Sequence, residues 1–176
     1  MFDEFGAQLE KYRALVLKAA KERRGDPVYN GSLEHAAILA ENLFKFSEKE
    51  VCVLSGSLNP RVFGNRRVLD RAAEFLGKAG CSVQILIERS DDVDWEDHPF
   101  VQKFKSSSDL EVRTLQPDQI ENLPFHFIVA DSDSYRFEKD KGTSQAIGAF
   151  GDSEGGARLK GIFSELWQEA EKKTLQ

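Results

Sequence analysis

Three histidines are the side chains best suited to exchange a proton near neutral pH. His126 stands out because it begins an apolar run, with Asp131, Asp133, Tyr135 and Arg136 close behind it. A histidine so placed can serve as a nucleophile or a general acid. A hydrogen-bonded structural histidine is the competing reading. His35 falls on a helical stretch and His98 precedes Pro99. A second group, Ser55-Gly56-Ser57-Leu58-Asn59, directly follows an apolar run. Ligands of parallel α/β sheets collect at the carboxyl ends of strands, where loops offer backbone N–H and hydroxyl groups. Ser55, Ser57 and Asn59 are therefore candidate ligand contacts, against the plainer reading of local helix capping. Arg61, Arg66, Arg67 and Arg71 make a loose basic patch, with Arg67 and Arg71 on one helical face. Such a patch contacts phosphates or pairs with Asp70 and Glu74. Arg66 and Arg136 join the candidate ligand contacts.

Other chemistries are absent. The chain has no GxGxxG, GxxxxGK[ST], HExxH or GxSxG pattern. Asp91–Asp97 with His98 offers hard-metal ligand types but not calcium-loop spacing, so it reads as a solvated loop. Gly151–Gly156 (GDSEGG) precedes a helix, but Asp152 and Glu154 repel an anion there. Cys52 and Cys81 lie outside any CxxC pair and read as small buried thiols. No metal and no cofactor are expected.

The elements that must position these residues follow from hydrophobic spacing. Phe5, Leu9, Tyr12, Val16 and Ala19 stripe one face of a helix over residues 3–23. Turn signals in RRGDPVYNG follow, then Ser32 as N-cap and a second helix carrying Leu33, Ala36, Ala37, Ala40, Leu43 and Phe44. Val51–Leu54 reads as a buried strand, residues 61–78 as a helix stopped at Gly80, and VQILI as the next strand. Together these form a β-α-β unit. A short helix near 98–105, a strand LEVRTL and a hairpin of Phe125–Ala130 with Tyr135–Glu138 come next. A C-terminal helix bears Leu159, Ile162, Phe163, Leu166, Trp167 and Ala170.

With 176 residues, 40% apolar and 31% charged, the chain is sized for one α/β domain with a substantial core. The formal charge of −6 argues against coating nucleic acid through net charge, though not against a local basic patch. No apolar run of about 18 or more residues occurs, and charges fill the first 25 residues. A cytoplasmic protein without membrane insertion or secretory signal is the expectation.

The order of elements, with KAGCSVQIL, LEVRTL, PFHFIVADSDSYRF and IFSELW, resembles one half-unit of the phospholipase D superfamily over residues 33–172. The resemblance implies a mixed, largely parallel sheet flanked by helices, carrying an extra N-terminal helix. It divides the chain into an N-terminal helix and turn (1–30) and a phospholipase D-like α/β domain (31–176), compact as one unit. Active members of that superfamily carry His-x-Lys-x4-Asp, in which the histidine attacks phosphorus and the lysine holds phosphate oxygens. Two such motifs build one site, which makes a homodimer natural. Here the motif is broken in either register. From His126, Ile128 takes the lysine position and Asp133 the aspartate; from Asp131, Pro124 takes the histidine position and His126 the lysine. No Gly-Ser/Thr-x-Asn segment follows the hairpin. Phosphoryl transfer requires cations on the transferring oxygens, and Ile128 supplies none.

The leading expectation is a catalytically degenerate domain that binds a phosphate-containing ligand, a nucleic acid or a partner protein, in a bacterial regulatory or defence setting. The alternative is an active phosphodiesterase or nuclease in a homodimeric site, with His126, Asp131 and Asp133 as catalytic residues. A third reading makes the N-terminal helix a docking element, which requires Leu9, Tyr12 and Val16 to stay exposed.

Overall fold

The computed structural model describes residues 2–176; Met1, the first residue of the expected N-terminal region, lies outside them. Eight strands form one sheet in the order β1-β7-β6-β5-β2-β3-β4-β8. The strands are β1 (Val28–Asn30), β2 (Glu50–Ser55), β3 (Ser82–Ile87), β4 (Leu110–Thr114), β5 (His126–Ala130), β6 (Ser134–Glu138), β7 (Ala146–Phe150) and β8 (Glu171–Lys173). The helices are α1 (Phe2–Glu22), α2 (Leu33–Phe46), α3 (Pro60–Phe63), α4 (Arg66–Leu76), α5 (Pro99–Phe104), α6 (Pro117–Glu121) and α7 (Ser153–Glu169).

β2, β3 and β4 run parallel, joined by helical crossovers, with β2 and β3 as apolar runs and β4 alternating. The remaining pairings are antiparallel, including β5 against β2 and the β5–β6–β7 meander. The sheet is therefore mixed, with its parallel part confined to three strands rather than prevailing. Hairpin connections of a few residues between β5, β6 and β7 permit only antiparallel neighbours.

Each sheet face builds its own core. On one face α1, α2, α4 and α5 cover Val51, Val53, Ile85, Ile128 and Ala130 with Leu39, Phe44, Phe75 and Phe100. On the other, α7 lays Leu159 and Phe163 over Cys52, Leu54, Leu86, Phe127 and Val129. Both thiols are buried and unpaired, and burial pushes the Cys52 thiol up to about 11. In α1, Val16 and Ala20 are fully buried, and Leu9 and Tyr12 pack against the same core. Leu9, Tyr12 and Val16 are thus covered within their own chain, which removes the exposure that the docking reading required, while Phe5 at the start of the stripe stays exposed.

Local signals explain most element boundaries. Ser32 caps α2 by accepting from His35 N at 3.1 Å. The single helix expected over 61–78 is two helices, because Asn65 breaks the path and caps α4 through Arg67 N at 3.0 Å. α4 ends at Leu76, and Gly80 takes φ +83° in the turn into β3. His98 is framework: its Nδ1 caps α5, and its Nε2 lies 2.6 Å from Leu58 O. β1, β7, β8 and α6 are additional to the elements read from spacing; β1 and β8 have three residues each, too few for a periodicity to register.

The GDSEGG segment is a packing device. Asp152 caps α7 through Gly155 N at 3.1 Å and accepts the Tyr135 hydroxyl at 2.6 Å. A methyl on Gly156 would strike the Ser132 carbonyl and come within 2.6 Å of Asp133 Cα, so α7 can meet the β5–β6 turn only through glycine. The obstacle is backbone, which cannot swing aside. Gly156→Ala is expected to lose about 1–3 kcal/mol in urea unfolding despite alanine's higher helix propensity.

Candidate functional site

The carboxyl ends of β2 and β3 meet the start of β5 and the end of β6 at one end of the sheet. Continued pairing beyond β2 and β3 holds that end together: Glu88 N donates to Ser55 O at 3.0 Å and Arg89 N to Gly56 O at 2.8 Å. Between these ends and α3 lies a cleft of about 410 Å³. Ser55, Ser57, Asn59, His126 and Arg136 all line it, so five of the candidates chosen from sequence come together there.

The cleft is built around paired charges. His126 and Glu138 are direct cross-strand partners, as are Ile128 and Arg136. The imidazole lies between two carboxylates: Nε2 is 3.2 Å from Glu88 Oε1 and Nδ1 is 3.9 Å from Glu138 Oε1. The 3.2 Å contact is not aligned as a hydrogen bond, which leaves Nε2 a buried polar atom without a hydrogen-bond partner among the described residues. Lys141 Nζ donates to both Glu88 oxygens, at 3.0 and 3.2 Å. Arg136 Nε donates to Asn30 Oδ1 at 2.9 Å, its Nη2 lies 3.4 Å from Glu138 Oε2, and Gly142 N donates to Glu138 Oε1 at 2.9 Å.

The remaining candidates lie elsewhere. Asp131, in the turn after β5, is about 16 Å from His126 at the usual strand rise. It adopts φ +53°, and its carboxylate accepts from Glu48 N (2.7 Å), Lys49 N (2.9 Å) and Glu50 N (3.0 Å). That arrangement anchors the loop entering β2. Asp133 is ion-paired with Arg23 at the same far end. Neither aspartate shares a cleft with His126. Arg66 is exposed at the start of α4 and does not line the cleft. Ser55 and Asn59 also do the plainer work, accepting from Leu58 N and Arg61 N at 3.0 Å each.

Glu88, Arg89, Glu138, Lys141 and Asn30 belong to the cleft or its supports and were not chosen from sequence. Glu88 and Arg89 follow the VQILI strand directly, so the positional rule that selected Ser55–Asn59 after β2 applies to them equally. Among the described residues no cluster of three or more His, Cys, Asp or Glu side chains could hold a metal ion.

Similarity to known proteins agrees with this architecture. The fold is phospholipase D-like. The chain matches Nuc of Salmonella typhimurium, a phospholipase D family member, with a TM-score of 0.56 at 12% identity over 84% of this chain and 99% of that one. It matches NucT of Helicobacter pylori with a TM-score of 0.60 at 11% identity, again over 84% and 99%. TrmBL2, an archaeal chromatin protein that binds DNA, matches with a TM-score of 0.63 at 15% identity over 97% of this chain. The chain spans 64% of the length of TrmBL2. At sequence level, the chain belongs to the family described as domain of unknown function DUF7931, whose model matches residues 32–175. No curated protein matches it.

Burial alone would raise the Glu88 carboxyl, but the contacts with His126 and Lys141 outweigh it and lower it below the usual glutamate value of 4.5. A carboxyl lowered on folding contributes stability above its unfolded value and loses it as pH falls through the folded one. Acid unfolding should therefore steepen below about pH 4.5. Glu88→Gln should flatten that limb in urea midpoints measured from pH 7 to pH 3.

Proposed function

We propose that this chain is a phospholipase D-like binding module that takes a phosphate-containing ligand in the His126 cleft and does not hydrolyse phosphodiesters. One observation carries the reading: both ring nitrogens of His126 face carboxylates, Glu88 at 3.2 Å and Glu138 at 3.9 Å. A covalent nucleophile needs one nitrogen aimed at phosphorus, with cations around the transferring oxygens. Here anions occupy both sides of the ring. Ile128, buried at the position where the resemblance asks for lysine, adds no charge. Arg136, one strand across from Ile128, is spent on Asn30 and Glu138.

The fold leaves the choice to the site, because its neighbours include both a phospholipase D family member and a DNA-binding chromatin protein. Three cations, Arg89, Arg136 and Lys141, line the cleft against one lining carboxylate, Glu138, with Asp92 and Glu88 paired to Arg89 and Lys141 outside the lining, which supports an anionic ligand. A net charge of −6 weighs against a long polyanion.

The test is hydrolysis of bis(p-nitrophenyl) phosphate, with and without Mg²⁺ or Mn²⁺, by the wild type and His126→Ala. No turnover above background is expected in either protein. Turnover that disappears with His126→Ala would overturn the reading in favour of a phosphodiesterase, and sedimentation would then show whether two chains complete its site.

A further inference from the structure

We propose that Arg89, laid over Gly56, is the anion-binding residue of this cleft, and that it takes the terminal phosphate monoester of a small organic molecule. This rests on the reading of the cleft as a phosphate-ligand site.

Three cations line the cleft, and two are committed. Lys141 is bound to both oxygens of Glu88. Arg136, only 9% exposed, is held by Asn30 and Glu138. Arg89 differs. Its Nε donates to Asp92 at 3.0 Å and its Nη1 lies 3.8 Å from Glu88 Oε2, but among the described residues neither Nη makes a hydrogen bond. A planar fork of unused N–H donors matches two oxygens of one phosphate. Asp92 is the nearest carboxylate and holds Nε alone, while Glu88, the next, is paired with Lys141.

Gly56 sets where that fork lies. A methyl on Gly56 would fall 2.5, 2.7 and 2.8 Å from Nη2, Nη1 and Cζ of Arg89, so the Nη end of the guanidinium rests in the space of the missing side chain. Ser55 and Ser57 flank the contact and line the same cleft. Val62 and Phe63 of α3 add an apolar part to the lining. A charged fork and an apolar part of the lining within one cleft of about 410 Å³ suit one phosphate carrying one organic substituent. A phosphodiester must place a substituent on each side of phosphorus, and a polyanion would need more than one free cation.

Gly56→Ala is the sharp variant. Its clash is with the far end of a flexible side chain, and Gly56 is not among the positive-φ residues, so the fold should persist while the guanidinium is displaced. Inorganic phosphate, adenosine monophosphate and an oligonucleotide without terminal phosphates are titrated calorimetrically into wild type, Gly56→Ala, Arg89→Ala and Lys141→Met. Thermal unfolding verifies that each variant is folded. Saturable binding of phosphate and the monophosphate, weakened about tenfold or more by Gly56→Ala and Arg89→Ala, is expected. The oligonucleotide should not bind. If both variants bind like wild type while Lys141→Met does not, the anion sits elsewhere in the cleft; this inference falls and the ligand-binding reading stands. Binding of the oligonucleotide in preference to the monophosphate overturns the monoester assignment. No binding of either phosphate to wild type overturns the parent reading as well.

Discussion

A carboxylate whose side chain is only 2% exposed, at the end of a parallel strand, is the constraint around which the rest of the cleft is arranged. Burying the charge of Glu88 is costly unless it is paired, and removing one partner would leave the charge stranded. Lys141 and His126 are the partners, one from the β6–β7 connection and one from the start of β5. Three separate segments are thereby fixed to one another at the site. Arg136 repeats the pattern one step away, tying β6 to Asn30 of β1 and to Glu138. Ionic pairing thus spends two of the three cleft cations on structure. Among the described residues, Arg89 is the one of the three whose two Nη groups both make no hydrogen bond.

The two ends of the sheet divide the labour. At the His126 end, strand termini leave backbone and side chains open to a cleft. At the opposite end, Asp131 accepts three backbone N–H groups and Gly156 lets α7 sit directly on the β5–β6 turn. Asp131 and His126 are close in sequence, yet a five-residue strand separates them in space. Proximity along an extended strand is distance, not contact.

That distinction also explains what was legible in the sequence. The β-α-β unit, the β5–β6 hairpin, the Ser32 cap and the apolar stripes of α1, α2 and α7 were readable because spacing and local capping determine them. Ser55, Ser57 and Asn59 were readable because ligands collect at the carboxyl ends of strands, and His126 and Arg136 because their residue types stand out on the β5–β6 hairpin. Glu138 and Lys141 were not, since their roles depend on cross-strand register and on a loop folding back, whereas Glu88 falls under the strand-end rule and was passed over. Gly56 was quoted as part of a loop, but its function lies in a side chain it lacks. β1 was read as a turn because RRGDPVYNG carries turn residues, while its pairing with β7 is a long-range event.

The central claim is that His126 is held by carboxylates and does not become a covalent phosphoryl carrier. Its most direct test is intact-mass analysis under non-acidic quench, after incubation with excess bis(p-nitrophenyl) phosphate. An unmodified mass in the wild type is the predicted result. A phosphoryl adduct that maps to His126, and is absent from His126→Ala, would contradict it.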